Sequence, residues 1–306
     1  MRKKRRARPR LFWRRLLIVL GILAVVIAAA CGIRACVASW RLPQTIFSDP
    51  EYLEIEDRYQ GTMLIPNYDL PQNLYEDALF STDEHGYKSY ESENAFKGVD
   101  VSSWQGEIDW DAVKAAGFDF AILRVGFRGQ TEGTVYEDER FEENYAGAVA
   151  AGLQVGAYFY SQAVTQEEAR EEADFVLETL SGRSLQFPVA FDWEPADEAG
   201  VAAAGASSDD PARTEQTTPE DVTAFTNVFC ERIAAGGYEP CYYTNKSMGY
   251  TTFDLEALEN YPIWYAEYQP YPSFYYDFAI WQYTNAAEVP GIPEAADLNI
   301  AFRAFS

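Results

Sequence analysis

Histidine is almost missing from this chain: His85 stands alone among 306 residues. A histidine-based triad or a multi-histidine metal centre therefore has at most one candidate. Cysteine is scarce as well, and Cys31, Cys36, Cys230 and Cys241 lack the paired spacing of a zinc cluster. No metal site is expected. Cations are thin over most of the length. Residues 1 to 41 take eleven of the 24 Lys and Arg and hold no Asp or Glu, leaving 13 basic and all 48 acidic side chains to the rest. A body this acidic repels phosphate, which needs clustered cations, so a nucleic-acid role is disfavoured.

What is present points to a folded, aromatic-rich protein. The hydrophobic fraction is 48%, with 21 Tyr, 19 Phe and 7 Trp, too much apolar surface for global disorder. The length suits one large domain with appendages.

The basic head has its own logic. Nine positive charges fall within residues 1–15, and the next eighteen residues, Leu16 to Ile33, carry no charge. As a helix at about 1.5 Å per residue that run spans about 27 Å, enough for a bilayer core. Cations before it and acids after it place the N-terminus in the cytoplasm, with Trp13 and Trp40 as interfacial aromatics. A transmembrane helix over 16–36 is expected, behind a cytoplasmic tail of residues 1–15. A cleaved signal peptide ending at Ala28-Ala29-Ala30, or lipidation at Cys31, is the competing reading. Both put the body outside the cell membrane. There Cys230 and Cys241 could pair as a disulfide or remain two separately buried thiols.

Residues 37–96 read as an acidic stalk that partly packs on the body, with Pro43, Pro50, Pro66 and Pro71 and no sustained period. From Lys97 to the end, short apolar runs alternate with amphipathic stretches. The runs are 98–102, 120–126, 155–161, 188–193, 240–244, 263–268, 278–283 and 298–301. Helical patterns lie at 109–116, 140–151, 166–180, 219–235 and 255–259. Thr218, Pro219 and Gly236-Gly237 supply start and stop signals for the fourth. Strand–helix alternation implies a parallel sheet, so the expected fold of 97–306 is a (β/α)-barrel of TIM type with a degenerate final third. A doubly wound open sheet is the alternative, though no glycine-rich phosphate loop follows the first strand. Residues 196–217 form a low-complexity insertion after the fourth strand, either a flexible loop or a lid, with Arg213 as its one cation.

Carboxylates collect at the strand ends. Asp192 and Glu194 lie two apart at the end of an apolar run, on one side of the strand and roughly 6–7 Å apart by backbone spacing. Such a pair resists joint ionisation, which suits a general acid beside a charge-stabilising partner. Asp100, Glu267 and Asp297 fall at other strand positions that a barrel gathers at one mouth. Aromatics accompany them, among them Tyr158, Tyr160, Tyr243 and Trp281. Alternation divides these between core packing and a mouth that would suit sugar rings.

Several spaced motifs resemble glycoside hydrolase family 25, the N-acetylmuramidase-type lysozymes. They are Gly98–Gly106 with Asp109-Trp110, Val155–Tyr160, Asp192-Trp193-Glu194, Trp264–Tyr268, Ile280–Tyr283, and Val289–Ile292 with Asp297-Leu298-Asn299. The resemblance covers residues 97–306. It implies hydrolysis of the β-1,4 bond between N-acetylmuramic acid and N-acetylglucosamine in peptidoglycan. By the same resemblance Glu194 is the general acid, and Asp192 orients or stabilises the substrate's acetamido group if that group is the internal nucleophile, direct water attack being the other route. Asp100 and Asp297 complete the acidic floor. From the strand-end reading of the residues themselves, Tyr158, Tyr160, Tyr243, Glu267 and Trp281 are expected to bind substrate. One departure is Phe159, where many members have His; alternation points it away from Tyr158 and Tyr160, so little loss of activity is expected. No cofactor is implied, since carboxylate acid–base hydrolysis needs none. The expected protein is a membrane-bound monomer with its catalytic domain outside. A catalytically weak wall-binding module is the alternative.

Overall fold

The computed structural model describes residues 52–196 and 212–305. The basic tail, the apolar segment 16–36, Cys31, Cys36, the first part of the stalk and residues 197–211 of the insertion lie outside them. Among the described residues no helix is long and apolar enough to cross a membrane. The transmembrane helix expected at 16–36 falls on residues outside those described.

Residues 52–96 build two antiparallel hairpins. β1 (Tyr52–Asp57) pairs with β2 (Gly61–Pro66), and β3 (Phe80–Thr82) pairs with β4 (Lys88–Tyr90). Strands of three to six residues broken by turns are too short to show a period in sequence.

The body closes on itself as an eight-stranded barrel. β5 (Phe96–Val101), β6 (Phe120–Arg128), β8 (Gln154–Ser161), β9 (Val189–Trp193), β10 (Pro240–Asn245), β11 (Ile263–Ala266) and β12 (Ile280–Ala287) run parallel, and β13 (Ala296–Ala301) runs against both its neighbours. The β5–β6 pairing closes the ring, and β7 (Val135–Glu137) adds a short hairpin to β6. The TIM-type (β/α)-barrel expected from the sequence does not form. Helices α1 (Trp110–Ala115), α2 (Phe141–Ala150), α3 (Gln166–Thr179) and α4 (Pro219–Ala235) do follow the early strands, and α5 (Lys246–Thr251) follows β10. The helix expected over 255–259 is a series of turns. Residues 288–295, all that separates β12 from β13, fall short of the dozen or so that a parallel crossover needs. The last strand must therefore return antiparallel, and the barrel is mixed and β-rich.

Alternation along the strands sorts the apolar residues into two layers. Inside lie Phe120, Ile122, Phe187, Ala190, Cys241, Tyr243, Trp264 and Ile280. Phe120 and Phe187 stack at 4.0 Å near the N-terminal ends of the parallel strands and plug that end. Gly98 is required there, because a Cβ would stand 2.2 Å from the Phe120 ring. Outside, the strands' other faces pack against the helices and the N-terminal hairpins. Cys241 faces the interior while Cys230 on α4 belongs to the outer layer. Both are free buried thiols, with Cys230 Sγ 3.7 Å from the Cys241 carbonyl oxygen. Burial pushes both thiols up. The two readings of this pair resolve to separate thiols.

Candidate active site

Seven parallel strands end at one mouth, and the antiparallel β13 begins there. That reversal sets Asp297, near the start of β13, directly opposite Asp100, near the end of β5. Asp192 points inward near the end of β9, and Glu194 follows just past the strand. All four line one cavity of about 310 Å³, together with Gln105, Tyr158, Tyr243, Trp264, Tyr268, Gln282 and Asn285.

The floor of this cavity is acidic and poorly compensated. Asp100 is buried, and its Oδ2 accepts from Gln282 Nε2 at 2.9 Å and Asn299 Nδ2 at 2.7 Å. Burial pushes Asp100 up to about 6 despite those donors. Asp297 goes further, to about 9, driven first by burial and then by the charge of Asp100. The two facing carboxyls resist joint ionisation and share one proton between them. Asp192 is raised well above the usual carboxylate range by burial, then by Glu194 and Asp100. Its Oδ1 is buried and accepts no hydrogen bond from the described residues. Arg124, inward-facing on β6, pulls Asp192 the other way. It is itself engaged by Asp138 at 2.8 Å and Ser103 at 3.1 Å.

Aromatic rings wall the cavity above the acids. Tyr158 and Tyr243 both stand edge-on to Trp264, at 5.9 and 5.2 Å, and Trp264 Nε1 donates to Asn299 Oδ1 at 2.8 Å. Tyr268 is 47% exposed and donates to Gln282 Oε1 at 2.8 Å. Trp104, on the turn after β5, is 77% exposed, an unusual position for an indole. Gln162 Nε2 fixes the Glu194 backbone by donating to its carbonyl oxygen at 2.6 Å.

The site residues expected from sequence divide accordingly. Asp100, Asp192, Glu194, Asp297, Tyr158 and Tyr243 line the cavity; Tyr160, Glu267 and Trp281 do not. Tyr160 lies beside Gln130, whose Nε2 donates to its hydroxyl at 3.2 Å. Glu267 faces Lys246 at 2.8 Å, with Ser273 N and Oγ donating to it. Trp281 is fully buried on the outer face, edge-on to Phe80 at 5.4 Å, because its neighbour Gln282 takes the inward position. Phe159 also faces outward, fully buried and edge-on to Phe175. Arg213 is bound to Glu168 and to the Gln162 carbonyl oxygen, so it ties down the end of the insertion.

Arg124, Gln282, Asn299 and Tyr268 belong to the site without having been singled out. Each of the first three carries a readable signal: a polar side chain at an inward parity position of an otherwise apolar strand.

Comparison with known proteins places this geometry. The profile of Glycosyl hydrolases family 25 matches residues 99–292. The autolytic lysozyme of Clostridium acetobutylicum is 30% identical over 208 residues, covering 66% of this chain and 55% of that protein. Lysozyme M1 of Streptomyces globisporus is 29% identical over 218 residues, covering 66% of each. The chain thus spans less than two thirds of either relative's length. The crystal structure of the bacterial lysozyme from Streptomyces coelicolor aligns with a TM-score of 0.52 at 25% identity, over 68% of this chain and 92% of that one.

Proposed function

This chain belongs to the glycosyl hydrolases of family 25, and from that premise we propose that it is a muramidase acting on peptidoglycan. The bond cut is the β-1,4 link from N-acetylmuramic acid to N-acetylglucosamine. Glu194 gives its proton to the leaving glycosidic oxygen as the bond to the anomeric carbon breaks. The acetamido carbonyl oxygen of the muramic acid attacks that carbon, one of the recognised departures from the two-carboxylate scheme. Asp192 stabilises the positive charge that then develops on the acetamido group. Water next adds to the anomeric carbon, its proton passes to Glu194, and the acetamido group re-forms. Asp100 and Asp297 hold the floor below.

The observation that carries this reading is the placement of Asp192. A buried carboxylate with an oxygen that no described residue serves, beside Glu194 in an open polar cavity, is a poor structural element. It is a good partner for a transient cation. The relatives named lysozymes support the same chemistry.

The test is digestion of purified peptidoglycan by the full chain, with mass spectrometry of the released fragments. Muramic acid at the new reducing ends is expected. N-acetylglucosamine there would overturn the bond assignment, and binding without release would favour a wall-binding module. The same reading puts the body on the outer side of the cell membrane, where the wall lies, with the basic and apolar N-terminal sequence holding it to the membrane. Protease added outside spheroplasts should then remove the body; its survival there would refute this placement.

A further inference from the structure

Asp57 ends β1, in a segment that precedes the family match, yet it is one of the most tightly engaged carboxylates in the protein. Its side chain is fully buried, and its Oδ2 meets Lys246 Nζ at 2.7 Å and Ser273 Oγ at 3.0 Å. Lys246 opens α5, directly after β10, and also faces Glu267 at 2.8 Å. Glu267 follows β11 and gathers Ser273 N at 2.6 Å, Ser273 Oγ at 2.8 Å and the Tyr265 hydroxyl at 3.0 Å. Two carboxylates, one lysine and one serine thus pin both ends of residues 267–273.

Other N-terminal residues grip the same segment. The Tyr59 hydroxyl donates to the Tyr271 carbonyl oxygen and accepts from the Tyr271 amide, both at 3.1 Å. Lys88 Nζ donates to the Pro270 carbonyl oxygen at 2.8 Å. Between these clamps lies Tyr268, whose half-exposed ring lines the acidic cavity and whose hydroxyl holds Gln282, a donor to Asp100. A ring at that place is set by the backbone of residues 267–273, and that backbone is set from the N-terminal hairpin.

We infer that Asp57 is a positioning residue for glycan binding, acting through Lys246, Ser273 and Glu267 to fix Tyr268 as a wall of the substrate cleft. The inference rests on the muramidase reading above. The occupant of that wall is a pyranose ring of the glycan strand, whose apolar face stacks on the tyrosine. Residues 52–96 are then part of the binding cleft's frame.

The experiment measures kcat and KM on soluble peptidoglycan fragments for the full chain in four forms: wild type, Asp57→Asn, Tyr268→Ala and the double variant. Asp57→Asn is expected to raise KM by about three- to tenfold, the worth of one strong hydrogen bond, with kcat nearly unchanged. In the Tyr268→Ala background the same substitution should move KM by less than about twofold, because the two changes are coupled. An equal rise in both backgrounds, a fall in kcat alone, or an unchanged KM would each overturn the inference. Thr62→Ala on the same hairpin, whose exposed hydroxyl reaches only Glu56, is the control expected to leave KM alone. If Asp57→Asn does not fold, Tyr59→Phe, which keeps the ring but loses the hydroxyl's bonds to Tyr271, takes its place in the cycle. Absence of hydrolysis by the wild type would count against the muramidase reading, and fragment affinity then decides here. Weaker fragment binding by the Asp57 variant would sustain the positioning role, and equal binding would end it.

Discussion

Two clusters of buried and half-buried carboxylates in this body differ in what compensates them. Asp57 and Glu267 share Lys246, with Ser273 between them. Although burial alone would raise Asp57, the Lys246 ammonium and the amides of Tyr59 and Gln60 outweigh it, and its carboxyl ends below the usual range. Asp100, Asp192 and Asp297 have no such lysine, and burial pushes all three up. The difference separates two uses of one residue type. A carboxylate that is paired and hydrogen-bonded serves the fold, whereas carboxylates packed together without a dedicated cation store unfavourable energy that a substrate can relieve.

The largest expected effect comes from neutralising Glu194, the proposed general acid. Glu194→Gln should lower kcat by about 10²- to 10⁴-fold, the usual worth of a general acid, while fragment binding persists. Turnover on soluble fragments together with their affinity for the variant checks this. Activity near the wild-type level would remove Glu194 from its role and erase the contrast between the clusters.

Breaking the compensated cluster should do the reverse. Lys246→Met leaves two buried carboxylates facing each other without a cation. A loss of about 3–5 kcal/mol is expected for such an unpaired site, read as a lower midpoint in urea. An unchanged midpoint would mean that water already screens these groups, and the structural reading of the cluster would fail.

How far this contrast could be read from sequence depends on the register of the strands. The four floor acids were legible because they end apolar runs, and a barrel of either kind brings strand ends together. Tyr160, Glu267 and Trp281 lie outside the cavity lining, and for the last two the reason is local. Trp281 and Gln282 are neighbours on one strand, and only the closed barrel tells which of them faces inward. Glu267 looked like a fifth floor acid because its partner Lys246 lies 21 residues away on another element, and Asp57 farther still. The TIM-type barrel failed at β13, where the short connection from β12 enforces an antiparallel return. That same reversal is what sets Asp297 against Asp100, so the error in fold and the detail of the site have one cause.

The smallest effect, and the sharpest for the comparison, concerns Asp297. Its carboxyl is raised from 3.8 to about 9 in the folded protein. A raised acid binds its proton more tightly when folded, so its contribution is fully present below about pH 4 and is lost progressively as pH rises towards 9. Asp297→Asn removes that loss, and the asparagine amide can still donate to Asp100. The variant should therefore unfold at a higher temperature than wild type at about pH 8, by on the order of 1–3 kcal/mol once the shared proton is discounted, with the gap closing towards pH 4. Thermal midpoints across that range measure it, alongside a fall in hydrolysis. A gap of constant size at every pH would place the gain in packing instead. A variant less stable at every pH would show that Asp297, like Asp57, is there to hold the fold.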